Sequence, residues 1–392
     1  MKSILDINIQ NKKVLIRVDY NVPVENGIVK NNFRIIQSLK TINYCLAQGS
    51  SVVIMSHMGR PNNNSRDESL SLKPVANELS KLLNKDIKFS DCCINESSIN
   101  ISKELKPNEI HLLENLRFHS GEKNNDDDFS SQLSNHGDVY VNDAFGTAHR
   151  AHASNVGIVQ FMNQSVIGFL NMKEFEYLSR KLSNPIKPYS FILGGLKVAD
   201  KIKLINNIMK SANTICIGGA MAFTLLKAKG VNIGNSYFEE SALSLAQSII
   251  DNAEKSGIEL ILPIDAVVSD DINNVQNANV RDMESFDAKD SGFDIGPKTT
   301  LLFMEKIKKS KTIVWNGPLG VAENPVFANG TNKLAKFLND LKGTSTIIGG
   351  GDTASCIYSI LPENNFSHIS TGGGSSLELL SGNKLPAFEV LL

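Results

Sequence analysis

The stretch STIIGGGDTASCIYSI (345–360) decides the fold. Its apolar run Thr346–Ile348 gives way to Gly349, Gly350 and Gly351, and then Asp352 and Thr353 stand where the loop opens into a helix. A short apolar strand, a glycine turn and a helix together form the repeating unit of α/β proteins. Glycine lets backbone amides approach a phosphate closely, and a helix N-terminus adds a positive dipole end.

The same unit recurs about ten times along the chain. Candidate strands in the first half are Val14–Val18, Ser51–Met55, Ile110–Leu113 and Val139–Val141. The second half offers Ser190–Leu193, Thr214–Ile217, Leu260–Leu262, Thr312–Trp315, Thr346–Ile348 and His368–Ser370. Continuous Val/Ile/Leu runs without alternation fit strands buried on both faces, as in parallel sheets. Between them, Leu72, Val75, Leu79, Leu82 and Leu83 fall on one helix face, as do Ile202, Ile205, Ile208 and Met209. The pattern predicts an α/β protein with doubly wound, Rossmann-like parallel sheets, two of about five strands rather than one of ten. Val166–Leu182 reads as a helix, which SNPIKP (183–188) then breaks with two prolines, placing the division between domains there. The expected partition is therefore 1–168, a connecting helix and hinge at 169–188, and 189–384. The Asn-rich stretches 62–64 and 124–125, the second followed by Asp126–Asp128, read as solvated loops.

A length of 392 residues fits two such domains. Lys plus Arg number 40 against 41 Asp plus Glu, so a polyanion-binding surface over the whole molecule is not expected. No apolar run is long enough for a membrane span, and MKSILDINIQNKK lacks the apolar stretch of a secretory signal, so a cytoplasmic protein is expected. Cys45, Cys92, Cys93, Cys216 and Cys356, an odd and scattered set, read as reduced thiols.

Ligands of open α/β sheets bind beyond the carboxyl ends of the strands. In the first half those ends carry Asp19 and Asn21, His57 and Arg60, Arg117, then Asn142, Asp143, His149 and Arg150, with Arg34 entering the first helix. Each arginine alone could be a surface ion pair, but several sharing one edge would repel one another without an anion. Their forked donors suit phosphate and carboxylate. In the second half the ends carry Gly194-Gly195 with Lys197 and Lys201, Gly218-Gly219, Asn316-Gly317-Pro318, the Gly349–Thr353 loop and Gly372–Gly374. Glycine loops with two lysines point to a nucleotide phosphate site. Asp352 there serves either as a helix cap or as a metal ligand.

Other constellations carry less. The P-loop pattern is absent. Gly349, Gly351 and Ala354 match the dinucleotide pattern, but the next strand ends in Ser370-Thr371-Gly372 without the acidic residue that would hold a ribose, which leaves a dehydrogenase as an alternative. His149 and His152 have no third metal ligand nearby, and Trp315 reads as core.

Beyond these patterns, nine ordered segments resemble the phosphoglycerate kinase family over essentially the whole chain. They are RVDYNVP (17–23), SHMGRP (56–61), LLENLRFHSGE (112–122), VNDAFGTAHRAHAS (141–154), LGGLKVADKI (193–202), GGAMAFTLL (218–226), WNGPLGVAE (315–323), IGGGDTA (348–354) and STGGGSSLELLSG (370–382). Departures such as Tyr20, Met58, Leu196 and Ala199 remove no charged group that the family uses. The resemblance implies reversible, magnesium-dependent phosphoryl transfer between 1,3-bisphosphoglycerate plus ADP and 3-phosphoglycerate plus ATP, in a monomer without nucleic-acid or membrane partners. It implies a phosphoglycerate-binding domain at 1–168, onto which the tail 385–392 returns, using Asp19, Tyr20, Asn21, Arg34, His57, Met58, Gly59, Arg60, Arg117 and Arg150. A Mg-nucleotide domain at 189–384 would use Lys201, Gly292, Asn316, Glu323, Gly350, Gly351, Asp352 and Thr353, with Asp352 linked to the metal. Arg34, Lys197 and Gly373 would act on the moving phosphoryl group. A two-domain protein that closes on an anion without catalysis stays as the other class; it accounts for the arginines but not for the glycine loops.

Overall fold

The computed structural model describes residues 1–62 and 66–392, and the chain divides into two units, Met1–Glu176 with Lys384–Leu392, and Tyr177–Asn383. Part of the expected Asn-rich loop, Asn63 and Asn64, lies outside the described residues.

In the first unit the strands are β1 (Lys13–Val18), β2 (Val24–Glu25), β3 (Ile28–Val29), β4 (Ser51–Met55), β5 (Ile87–Phe89), β6 (Ile110–Leu112), β7 (Val139–Asp143) and β8 (Ser165–Ile167). Six form a parallel sheet in the order β5-β6-β4-β1-β7-β8, and β2 and β3 make a small hairpin. Side chains alternate between faces, so each apolar run serves two cores. Val14, Ile16, Val52 and Ile54 pack on Ile35, Ile42, Leu72 and Leu79. Leu15, Val53 and Tyr140 face Leu116, Phe129 and Ile158 on the other side. The chain leaves β1 toward β4 on one side and returns to β7 on the other. The carboxyl end of β1 is therefore a switch point, where such sheets bind ligands.

The second unit repeats the plan with β9 (Tyr189–Leu193), β10 (Thr214–Ile217), β11 (Glu259–Ile261), β12 (Asp265–Ser269), β13 (Asn279–Asp282), β14 (Ser291–Ile295), β15 (Thr312–Asn316), β16 (Ser345–Gly349) and β17 (His368–Ile369). Its parallel sheet runs β11-β10-β9-β15-β16-β17, with the switch at β9, and β13-β12-β14 form a separate antiparallel sheet. Trp315 is fully buried, and its indole N–H donates to the Gly317 carbonyl at 2.8 Å.

Three expectations are corrected. Each parallel sheet has six strands rather than about five: in the first, the three-residue strands β5 and β8 are too short to show as apolar runs, and in the second all six candidate runs join one sheet. Val166 and Ile167 belong to β8, paired with Val141 and Asn142, so the helix begins only at Phe169, after Gly168. It then continues through a wider turn at Glu176–Arg180 to Ser183. The stretch 124–128 is not a loop. Asn124 ends a helical turn, Asn125 takes the left-handed conformation, and Asp126 caps the helix Asp127–Ser134 by accepting from Phe129 N.

Candidate active site

At the carboxyl edge of the first sheet, Asp19 is nearly buried behind β1. Its Oδ2 accepts from Arg34 Nη1 at 3.0 Å, and the same guanidinium donates to the Asn21 carbonyl at 3.2 Å. Asn21 Oδ1 accepts from Gly59 N at 2.9 Å, and Arg117 Nη1 donates to the Gly59 carbonyl at 2.6 Å. Arg150 Nε donates to His149 Nε2 at 3.1 Å. Arg60 is exposed beside them in sequence. His57 Nδ1 faces Arg17 Nη2 at 3.2 Å and Asp19 Oδ1 at 3.8 Å. Burial, and then the charges of Arg17, Arg117, Arg34 and Arg150, hold its imidazole well below the usual histidine range, so it is neutral. Burial and the neighbouring Arg150 and Arg17 even lower Arg117, to about 10. Arg34 has Asp19 as its counter-ion and Arg17 has Glu122 at 4.0 Å, whereas no carboxylate among the described residues bridges Arg117 or Arg150. The edge is short of negative charge, and a bound anion would supply it.

In the second unit, a cavity of about 310 Å³ lies at the ends of β9, β15 and β16. Gly195, Lys197, Lys201, Asn316, Gly317, Gly350–Thr353 and Gly373 line it. Lys201 is held inside, donating to the Gly194 carbonyl at 2.6 Å and to Asn316 Oδ1 at 2.8 Å, and burial lowers its pKa to about 8. Lys197 stands exposed at the rim. Thr353 Oγ1 accepts from Gly317 N at 2.8 Å, tying two of the loops together. Gly350 has φ +96°, which favours glycine, and precedes the helix Gly351–Ile360. The helix Gly373–Leu380 starts beside it: a Cβ added to Gly373 would lie 3.8 Å from Gly351 N. Two helix N-termini and two lysines thus meet at one cavity, an arrangement suited to several phosphates.

Asp352 lies in the first turn of its helix and makes no cap hydrogen bond, so the capping alternative finds no support. It is an exposed carboxylate on the wall of a phosphate-type cavity. No cluster of three or more His, Cys, Asp or Glu suited to a metal occurs among the described residues. Magnesium binds through one or two carboxylates plus substrate phosphates. The residues present therefore fit an ion that arrives with a nucleotide rather than a resident one.

Several expected residues stand apart. Tyr20 is fully buried with its hydroxyl on Ser38, and Met58 packs in the core, so both shape the edge from beneath. Gly292 lies on β14 against the Phe223 ring, and neither it nor Glu323 lines the cavity. Burial raises the Cys356 thiol, and the charge of Glu323 adds to that. The sequence reading missed Arg17, which is fully buried and donates through Nε to Ser154 Oγ at 2.7 Å. It also missed Glu122, which accepts from Ser154 N at 2.9 Å. An arginine inside the apolar run KVLIRV was the available signal, since a buried charge demands partners. The dehydrogenase alternative still lacks its acidic residue after β17, and all five cysteines are free.

The first unit thus carries an arginine edge, and the second a cavity of glycine loops and lysines. The sequence profile described as "Phosphoglycerate kinase" matches residues 4–383. Phosphoglycerate kinase of Finegoldia magna is 47% identical over 392 residues, 100% of this chain and 98% of that protein. The solved structure of phosphoglycerate kinase from Coxiella burnetii matches with a TM-score of 0.86 at 37% identity, over 99% of this chain and 98% of that one. The one from Pyrococcus horikoshii matches at 0.87 and 31%, over 100% and 98%. The chain belongs to the phosphoglycerate kinase family.

Proposed function

We propose that the chain reversibly transfers a phosphoryl group between 1,3-bisphosphoglycerate and ADP, yielding 3-phosphoglycerate and ATP, the glycolytic step of its family. The observation that carries this reading is the meeting of Lys197, Lys201 and two helix N-termini around one cavity, with a single carboxylate, Asp352, on its wall. The cavity takes the Mg-nucleotide. The arginine edge takes phosphoglycerate, whose anionic groups offset Arg117 and Arg150. Either nucleophile, a carboxylate or a phosphate oxygen, is already anionic, so no general base is needed, in keeping with a neutral His57. Catalysis then rests on in-line positioning and on positive charge at the transferring group: Arg34, Lys197 and the backbone amide of Gly373. Magnesium held by Asp352 would neutralise phosphate oxygens. Reduced thiols support a cytoplasmic setting, and the family resemblance supports a monomer. Mixing the purified chain with ADP and 1,3-bisphosphoglycerate, with ATP read by a coupled assay, tests the reading; binding without turnover would favour a non-catalytic anion-binding protein.

Arg150→Ala is expected to raise the phosphoglycerate KM about 10–100-fold with kcat within a few-fold, because its anion partner is present in ground and transition states alike. Asp352→Asn is expected to raise the magnesium concentration for half-maximal rate by about tenfold or more without lowering the melting temperature. A lowered melting temperature with an unchanged magnesium requirement would restore the capping role. The substrates bind on different units, yet reacting atoms must come within about 3–3.5 Å. The units therefore close together in the ternary complex, about the connector 169–188, which also excludes water. Small-angle scattering should give the smallest radius of gyration with both ligands and a lesser change with either one. An unliganded protein as compact as the ternary complex would refute closure.

A further inference from the structure

Beneath the arginine edge runs a buried polar chain that the catalytic scheme leaves unused. It starts at Arg17, whose Nη2 meets His57 and whose Nε donates to Ser154 Oγ. The Ser154 carbonyl accepts from the Tyr140 hydroxyl at 2.7 Å, and that hydroxyl accepts from Asn142 Nδ2 at 2.9 Å. Asn142 offers its Oδ1 and its carbonyl to Asn171 Nδ2, each at 2.9 Å. Asn171 sits in the first turn of the helix Phe169–Phe175, and its backbone N–H donates to Asp143 Oδ1 at 3.0 Å. Thr41 closes the far end, donating to Asp143 Oδ2 at 2.6 Å and accepting from Phe169 N at 3.0 Å. Arg17, Tyr140, Asn142, Asp143, Ser154 and Asn171 are all fully buried.

Two features set this chain apart from ordinary core polarity. Phenylalanine would pack at position 140 as well as tyrosine does, so the hydroxyl is there for the two hydrogen bonds it joins. Asn171 Oδ1 is buried with no hydrogen-bond partner among the described residues. A buried acceptor left bare is costly, and a small shift of the helix's first turn that brought it a donor would relieve that cost. The helix therefore has a reason to occupy a second arrangement.

We propose that Tyr140 is a positioning residue whose hydroxyl links occupancy of the arginine edge to the first turn of the helix at 169–176, the segment that leads into the second unit. An anion at the edge draws on the guanidinium groups around His57, Arg17 among them. Arg17 is tethered to Ser154, and Ser154 to Tyr140, Asn142 and Asn171. This inference rests on reading the edge as the phosphoglycerate site.

The test is Tyr140→Phe, which keeps the ring and removes the link. In the unsubstituted protein, saturating 3-phosphoglycerate should slow amide exchange at 169–176, and Y140F should still bind it, with KM within about twofold. Y140F should lose that exchange response and show kcat lowered about 3–30-fold. A packing role alone would lower the melting temperature and leave both the exchange response and kcat intact; that result overturns the inference. Should Y140F fail to fold, Asn171→Ala breaks the chain at its other end and is read by the same two measurements. If the unsubstituted protein binds no 3-phosphoglycerate, the reading of the edge falls and this inference with it. If it binds and turns over while Y140F behaves identically, only the inference falls.

Discussion

Arg34→Ala will lower kcat roughly 10²–10³-fold while changing phosphoglycerate affinity far less, because removing one preorganised donor from the transferring group costs about that much. Arg34 begins the first helix, is about a quarter exposed and reaches forward from its 3.0 Å pair with Asp19. Asp19 and the Asn21 carbonyl hold its guanidinium in place at the arginine edge. Arg34→Lys keeps the charge but loses the fork that contacts both Asp19 and Asn21, so it should recover only part of the rate. A near-normal kcat in Arg34→Ala would remove this residue from the chemistry.

The second large effect is a unit-specific loss of stability in acid. Burial is the first cause that lowers His57, His111, His136 and His152, all in the first unit; His111 falls to about 3, and His136 and His152 to about 4. The unfolded chain protonates these imidazoles below about 6.5 while the folded unit does not, so their stability is whole above that pH and is lost as pH falls toward 3–4. Asp143 has the opposite sign. Burial raises it to about 7, so the folded unit holds a proton that the unfolded chain releases above about 4, and this contribution is lost as pH rises through 7. Four imidazoles against one carboxylate leave a net of about three protons, or about 4 kcal/mol of stability lost per pH unit within the window. In the second unit burial likewise raises Asp294 to about 7, so that unit gains stability as pH falls below 7. Denaturant unfolding at pH 7 and pH 5 separates the two. Trp315 fluorescence reports the second unit, and labelling of the buried Cys93 by a dipyridyl disulfide, read on its own peptide by mass spectrometry, reports the first. The Cys93 midpoint should fall steeply at pH 5 while the Trp315 midpoint holds or rises; equal falls would contradict the assignment of the buried imidazoles.

Much of this site could be read from residue order alone, because parallel sheets put function at strand ends. Asp19, His57, Arg117 and Arg150 follow β1, β4, β6 and β7, and the glycine loops follow β9, β15, β16 and β17. The antiparallel sheet β13-β12-β14 was not legible, since DAVVS, NVRD and SGFDI mix polar, charged and glycine residues and run only four or five long. Nor was the layer beneath the site. Glu122 lies far from Arg17 and Ser154 from either in sequence, and only the sheet brings them together. Tyr20 and Met58 lie in the site segments, yet their side chains turn to the core, because neighbours on a chain near a strand end face opposite ways.

In the proposed reaction one chain moves a phosphoryl group between an acyl phosphate on its first unit and a nucleotide on its second. An acyl phosphate is the stronger phosphoryl donor, so phosphorus NMR of the protein with 1,3-bisphosphoglycerate, ADP and magnesium observes that transfer in its favourable direction. The acyl-phosphate resonance should decline as the ATP γ-resonance rises with it, and removal of magnesium should stop both. An acyl phosphate that persists, or that reappears only as inorganic phosphate, would contradict this transfer.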